Sequence, residues 1–178
     1  MNIANFEKVI GVLQDLQTQQ IIEKYAIGGA FAATLHNEPI STIDLDIFFF
    51  LKEKSDSLIL SMSKIYEFAK ENGFKFDHEF INLYGWLVQF VEASHNELWK
   101  EAIENSDTLK FDGVNVSVIG REYLVAMWLF AGRAKDYQKI TAFLDAEIVD
   151  KKKLFEILER HNLSAKWNKE KWRFINEE

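Results

Sequence analysis

Seven residues constrain this chain more than any others: Thr42-Ile43-Asp44-Leu45-Asp46-Ile47-Phe48. Apolar, mostly β-branched or aromatic residues alternate there with two aspartates, and that period of two belongs to a strand. Residues two apart in a strand point the same way, so Asp44 and Asp46 share one face at a Cα spacing of roughly 6–7 Å. Leu45 and Ile47 then face a core, and the apolar flanks through Leu51 mark a central strand. Two like charges aimed together repel each other and gain nothing from burial. A divalent cation would compensate them: Mg²⁺ (or Mn²⁺) takes hard oxygen ligands, typically one or two carboxylates plus water and substrate phosphates. The pattern alone leaves a second reading open, two acids on the solvated face of an edge strand.

Upstream, Tyr25-Ala26-Ile27-Gly28-Gly29-Ala30 places two glycines where a short buried strand gives way to a helix. Two uses fit them. Free N–H groups at a helix start form an anion site that glycine lets a phosphate approach closely, or the pair only supplies the positive φ of a tight turn. No third glycine follows, nor a Gly-Lys-Ser/Thr, so this is neither a Rossmann nor a P-loop fingerprint.

Composition narrows the rest. At 178 residues and 48% hydrophobic, the chain suits one domain, or one with a small appendage, and can bury a real core. A formal charge of −7 argues against generic coating of nucleic acid. Zero cysteines exclude disulfides, thiolate zinc sites and cysteine nucleophiles, and fit a reducing, cytoplasmic compartment. His36, His78, His95 and His161 have no mutual metal spacing and read as surface residues. Residues 1–24 lack the apolar core of a signal peptide, and 43–51 is too short and too acidic to span a membrane.

Apolar spacing predicts a helix within 5–25, strands at 25–27 and 42–51, and a short helix at 30–36 stopped by Pro39. A helix capped by Ser55 or Asp56 closes at Gly73, and two strands follow in 74–92, broken at Tyr84-Gly85. Ser94 and Glu97 form a capping box for the next helix, and Asp112-Gly113 turns a hairpin. Helices at 121–132, 134–145, 150–162 and 164–175 complete the chain. This is a mixed α/β front with a helical tail.

These residues resemble the nucleotidyltransferase superfamily with the polymerase-β-type palm fold, whose signature is a Gly-Gly or Gly-Ser turn, a short helix, and a strand bearing D-x-D or D-x-E. Residues 122–136, a leucine-rich helix running into Arg133-Ala134-Lys135-Asp136, look like the helical motif of minimal nucleotidyltransferases akin to the AbiEii-type toxins. The resemblance implies an α/β (α+β) core with a mixed sheet over 1–119 and a helical region over 120–178. It implies an enzyme that uses Mg²⁺ to transfer a nucleoside monophosphate from an NTP to an RNA, protein or small-molecule acceptor. Asp44 and Asp46 would be catalytic and hold the metal; Gly28, Gly29, Thr42, Arg133, Lys135 and Asp136 would bind nucleotide. The alternative is a catalytically weak or inactive binding module, with a protein partner as in a toxin–antitoxin pair.

Two departures stand out. The superfamily usually adds a third carboxylate on a later strand, yet 86–92 carries Gln89 in its middle and Glu92 only at its end, with Glu79 as another candidate. Trp128 occupies the place where toxin-like members often carry lysine. Arg133 and Asp136, three apart, read equally well as a surface ion pair worth little. Trp167, Trp172 and Phe174 are expected to dock the last helix, although their mixture with Lys169, Lys171 and Arg173 also suits RNA.

Overall fold

The computed structural model describes residues 5–36, 44–51, 58–111 and 113–175. Along the chain run α1 (Phe6–Thr18), β1 (Lys24–Ile27), α2 (Gly29–Leu35), β2 (Asp44–Phe50) and α3 (Leu58–Glu71). Then come β3 (Lys75–Asp77), β4 (Phe80–Leu83), β5 (Trp86–Glu92), α4 (Glu97–Glu104), β6 (Asp107–Phe111) and β7 (Val114–Val118). Four helices close it: α5 (Arg121–Ala131), α6 (Ala134–Asp145), α7 (Lys151–Arg160) and α8 (Ser164–Glu170), with a 3₁₀ turn at Lys171–Arg173. The fold class is the mixed α/β one expected.

Among the described residues, all seven strands form one sheet in the order β3-β4-β5-β2-β1-β7-β6. β2 lies parallel to β5 and β1 parallel to β7, while the other neighbours are antiparallel. β2 is therefore central, and its side chains alternate as its sequence requires: Leu45, Ile47 and Phe49 are fully buried and Asp44, Asp46 and Phe48 half-buried. On the Trp86 side of the sheet, Phe6 of α1, Phe31 of α2, Trp86 and Phe111 interlock with ring centroids 4.8–5.5 Å apart. On the Asp46 side, Phe48 meets Trp99 of α4, and Trp99 meets Phe130 of α5.

The structure corrects several local expectations. α1 ends at Thr18, and Gln20 beyond it takes a φ of 59°. Three strands, not two, occupy 74–92; the extra hairpin turns at His78, whose φ is 54°, without the glycine or asparagine that marks such turns. α4 is capped by Asn96, whose side chain accepts from Trp99 N at 3.1 Å, while Ser94 N donates to Glu92. His36 is buried rather than superficial: its Nε2 lies 2.8 Å from the Ile119 carbonyl oxygen, and burial lowers its pKa. Trp167 and Phe174 dock the last helix as expected, but Trp172 is 68% exposed. The expected stops and caps at Pro39, Ser55, Asp56 and Asp112 lie outside the described residues.

Candidate functional site

The antiparallel register of β1 and β2 pairs Ile27 with Ile47, so the residues that follow β1 must meet the ones that precede Ile47. Gly28 N accordingly donates to the Asp46 carbonyl at 2.8 Å. Gly29 has φ +61°, and a Cβ there would overlap the Asp46 carboxylate. One on Gly28 would overlap the Phe48 ring. Both glycines therefore serve first to let the turn close onto β2. The open space beside Gly29 is filled by an acid of the protein itself, the same acid the strand pattern singled out.

β5 runs beside β2 with Gln89 in register with Asp46, and their common face opens into a cavity of about 960 Å³. Asp44, Asp46, Gly29 and Gln89 line its floor, with Phe48 and Val91 one step further along the strands. The opposite wall comes from α5 and α6. α5 stops at Gly132, a left-handed C-cap with φ 67°, and the extended Arg133 then caps α6. This break turns Arg133, Lys135 and Lys139 into the cavity, facing the acids.

Asp136 holds that wall together. It is fully buried, accepts from Arg133 Nε at 2.6 Å and Nη2 at 3.1 Å, and lies 3.7 Å from Lys139 Nζ. It does not line the cavity, so it reaches a ligand only through the cations it orients. Nor is this a surface pair, because the carboxylate is out of solvent. Arg133 keeps 59% of its side chain exposed. Its hydrogen bonds to Asp136 raise its pKa above the usual arginine value. Lys139 sits 5.4 Å over the Trp128 ring, and burial lowers its pKa. Trp128 lines the cavity beside this lysine.

The electrostatics run across the cavity. Burial first, and then the charge of Asp44, raise the Asp46 pKa above the ordinary carboxylate range; Lys139, Arg133 and Lys135 pull it back. A cation shared by the two aspartates would relieve both causes, and their oxygens are the hard donors that Mg²⁺ takes. Among the described residues, no group of three or more His, Cys, Asp or Glu could hold a metal. Water and substrate phosphates are the ligands Mg²⁺ typically adds to one or two carboxylates.

The structure brings Asp44, Asp46, Gly29, Arg133 and Lys135 into one cavity, with Gly28 just behind the turn. Thr42 lies outside the described residues. Glu92 is excluded by register: it pairs with Phe49 and faces away from Gln89, and its Oε1 accepts from Ser94 N at 2.7 Å. Glu79 lies in the β3–β4 turn. Lys139, Trp99 and Gln138 also line the cavity and were missed. Lys139 had a readable signal, four residues after Lys135 and three after Asp136 on one helix. Trp99 had none, since only tertiary packing carries α4 to β2.

No protein-family model matches the chain, and no curated protein does. Solved structures do. An antigenic nucleotidyltransferase-like protein from Paracoccidioides brasiliensis superposes with a TM-score of 0.50 at 15% identity, covering 94% of this chain and 90% of its own. ANT(2")-Ia, solved in complex with adenylyl-2"-tobramycin, gives a TM-score of 0.48 at 12% identity over 87% and 95% of the two chains. The first likeness shows a nucleotidyltransferase-like fold; at such identities it shows the fold alone. No helix among the described residues is long and apolar enough to cross a membrane.

Proposed function

We propose that the cavity binds a nucleoside triphosphate with Mg²⁺ (or Mn²⁺) and transfers its nucleoside monophosphate to an acceptor hydroxyl. One observation carries this: two half-buried aspartates on a central strand face Arg133, the N-cap of α6, and Lys135 and Lys139 of α6 across one cavity. A ligand that brings both a cation and several negative charges answers both walls, and a metal–triphosphate complex does.

Asp44 and Asp46 would hold the metal. Bound there, the metal supplies charge neutralisation on the phosphates and polarises the phosphorus under attack. Arg133, Lys135 and Lys139 bind the phosphate oxygens, and Asp136 fixes the guanidinium fork through its two hydrogen bonds. The acceptor oxygen bonds to the α-phosphorus while the bond to the β-phosphate bridging oxygen breaks. Pyrophosphate leaves with that electron pair, and the acceptor proton passes to solvent. Both parts of the chain contribute to the cavity, residues 1–119 the acids and 120–178 the cations. In this reading the helical region closes the site rather than forming a separate module.

A second reading has one observation in its favour. Gln89 stands beside Asp46, where a carboxylate would complete a second metal's ligands and take the acceptor proton. A nucleotide-binding module without turnover, acting through a protein partner, needs neither. Incubation with α-labelled NTPs, Mg²⁺ and a cell extract distinguishes the two. Transfer of label to a macromolecule or small molecule, absent in Asp44→Asn/Asp46→Asn, supports the enzyme. Tight NTP binding with no transferred label supports the module.

A further inference from the structure

The cations of the cavity do not end at its mouth. Lys166 of α8 donates to the Phe130 carbonyl at 3.0 Å. Its Nζ lies 2.9 Å from where a Cβ on Gly132 would stand, immediately before Arg133. Further along, the Arg173 guanidinium lies 5.4 Å over the Tyr137 ring and 4.7 Å over the Trp172 ring. Tyr137 directly follows Asp136, and its hydroxyl bonds to Glu170. A path therefore leads from Arg133 through Lys166 to Arg173 and Trp172.

The composition of this path is unlike that of the chain. The whole protein carries −7, yet residues 164–173 hold Lys166, Lys169, Lys171 and Arg173 against the single acid Glu170, already engaged by Tyr137. Packing accounts for Trp167 and Phe174, which are buried. It does not account for Trp172, which is 68% exposed, and at the other end of the path Phe130 stays 48% exposed although one edge meets Trp99. Exposed aromatic faces with interleaved cations fit a ligand that repeats a negative charge and a planar ring. Phosphates answer the cations and bases stack on indole and guanidinium. An acidic peptide offers the charge without the rings.

We infer that the surface running from Arg133 through Lys166 to Arg173 and Trp172 docks a single-stranded nucleic acid, whose terminal hydroxyl is presented to the cavity as the acceptor. The acceptor role rests on the nucleotidyl-transfer reading; the docking surface does not. The overall acidity is no obstacle, because the contact is a local strip rather than a coat, and the surrounding acids would disfavour binding in other registers. The step is the one above, with the strand's terminal oxygen forming the new bond to phosphorus and its proton passing to water.

The experiment measures the anisotropy of a 12-nucleotide fluorescent single-stranded RNA against the full chain at 50–200 mM KCl. Trp172→Ala and Lys166→Gln/Arg173→Gln are compared with the wild type, and melts with Mg²⁺ and each NTP run in parallel. Trp172→Ala should weaken RNA binding about 5- to 150-fold, the range for one lost stacking partner. The double variant should reduce the slope of log affinity on log salt by about 1.4, from two phosphate contacts. Neither should alter the NTP-dependent melting shift. Equal RNA binding by wild type and both variants overturns the inference. So does equal or tighter binding of polyglutamate or of anionic lipid vesicles. Strip-dependent RNA binding in a wild type that no NTP stabilises keeps the docking surface and removes the nucleotide reading.

Discussion

Asp46 and Glu101 are carboxylates on opposite sides of the same question. Glu101, on α4, accepts from Tyr123 Oη at 2.8 Å and from Arg160 Nε at 3.1 Å, with His161 Nε2 2.6 Å away. Burial works against its charge, but the hydrogen bonds from Arg160, Tyr123 and His161 outweigh it and lower the pKa. Burial, and then the same bond to Glu101, push Tyr123 up to about 12. Asp46 is placed differently. Burial and Asp44 raise its pKa, and the cations that answer them stand across a cavity. A carboxylate whose partners are already in contact ties helices together. One whose partners wait across open space is prepared for something that fills the space.

The comparison can be broken first at Gly29. A side chain there meets both a φ of +61° and the Asp46 carboxylate. Gly29→Ala should cost about 3 kcal/mol, combining the left-handed penalty with overpacking. A denaturation midpoint unchanged from wild type would mean that the turn does not hold Asp46 in place.

Next in size is Arg133→Ala, which should weaken NTP binding by about 2 kcal/mol, the loss of a charge-assisted hydrogen bond. Titration calorimetry reads this directly. Unchanged affinity in this variant and in Lys135→Ala would assign both residues to the surface.

Glu101→Ala should destabilise the fold by about 1–2 kcal/mol, since Arg160, His161 and Tyr123 lose their common acceptor at a partly exposed site. The sign follows from linkage. A depressed folded pKa gives stability that is present above the unfolded pKa of glutamate and is lost as pH falls through the lower folded value. The difference between wild type and Glu101→Ala should therefore shrink in acid. Asp46→Asn should behave oppositely and more weakly. A raised folded pKa means that the ionised group opposes folding at neutral pH. The apo variant should then melt slightly higher than wild type at pH 7, with the gain fading as pH falls through the raised carboxyl range. A gain that persists undiminished in acid would detach it from the titration of Asp46.

What could be read from the chain divides along the same line. Period-two alternation located β2 and set Asp44 and Asp46 on one face, because strand geometry needs no tertiary information. The Gly28-Gly29 turn was legible as a turn, but its reason was not: the space was reserved for the Asp46 carboxylate, a contact fixed by the β1–β2 register. Arg133, Lys135 and Asp136 were legible as a group, whereas their division of labour depended on which side chain is buried. The Asp77–Phe80 turn escaped notice because His78 supplies a positive φ that sequence usually assigns to glycine or asparagine. Trp172 was misjudged because its buried neighbours, Trp167 and Phe174, carry the same apolar signal.

The central claim is that Asp44 and Asp46 are prepared for a metal-bound nucleotide rather than built into the fold, and one set of thermal melts tests it. Wild type and Asp44→Asn/Asp46→Asn are compared with and without Mg²⁺ and each NTP. The apo double variant should be at least as stable as wild type. The wild type should gain about 2.7 kcal/mol when Mg²⁺ and its NTP stand at a hundredfold excess over the dissociation constant, a gain the variant lacks. A double variant destabilised by about 1–3 kcal/mol, together with a wild type that no nucleotide shifts, would make the two aspartates structural and contradict it.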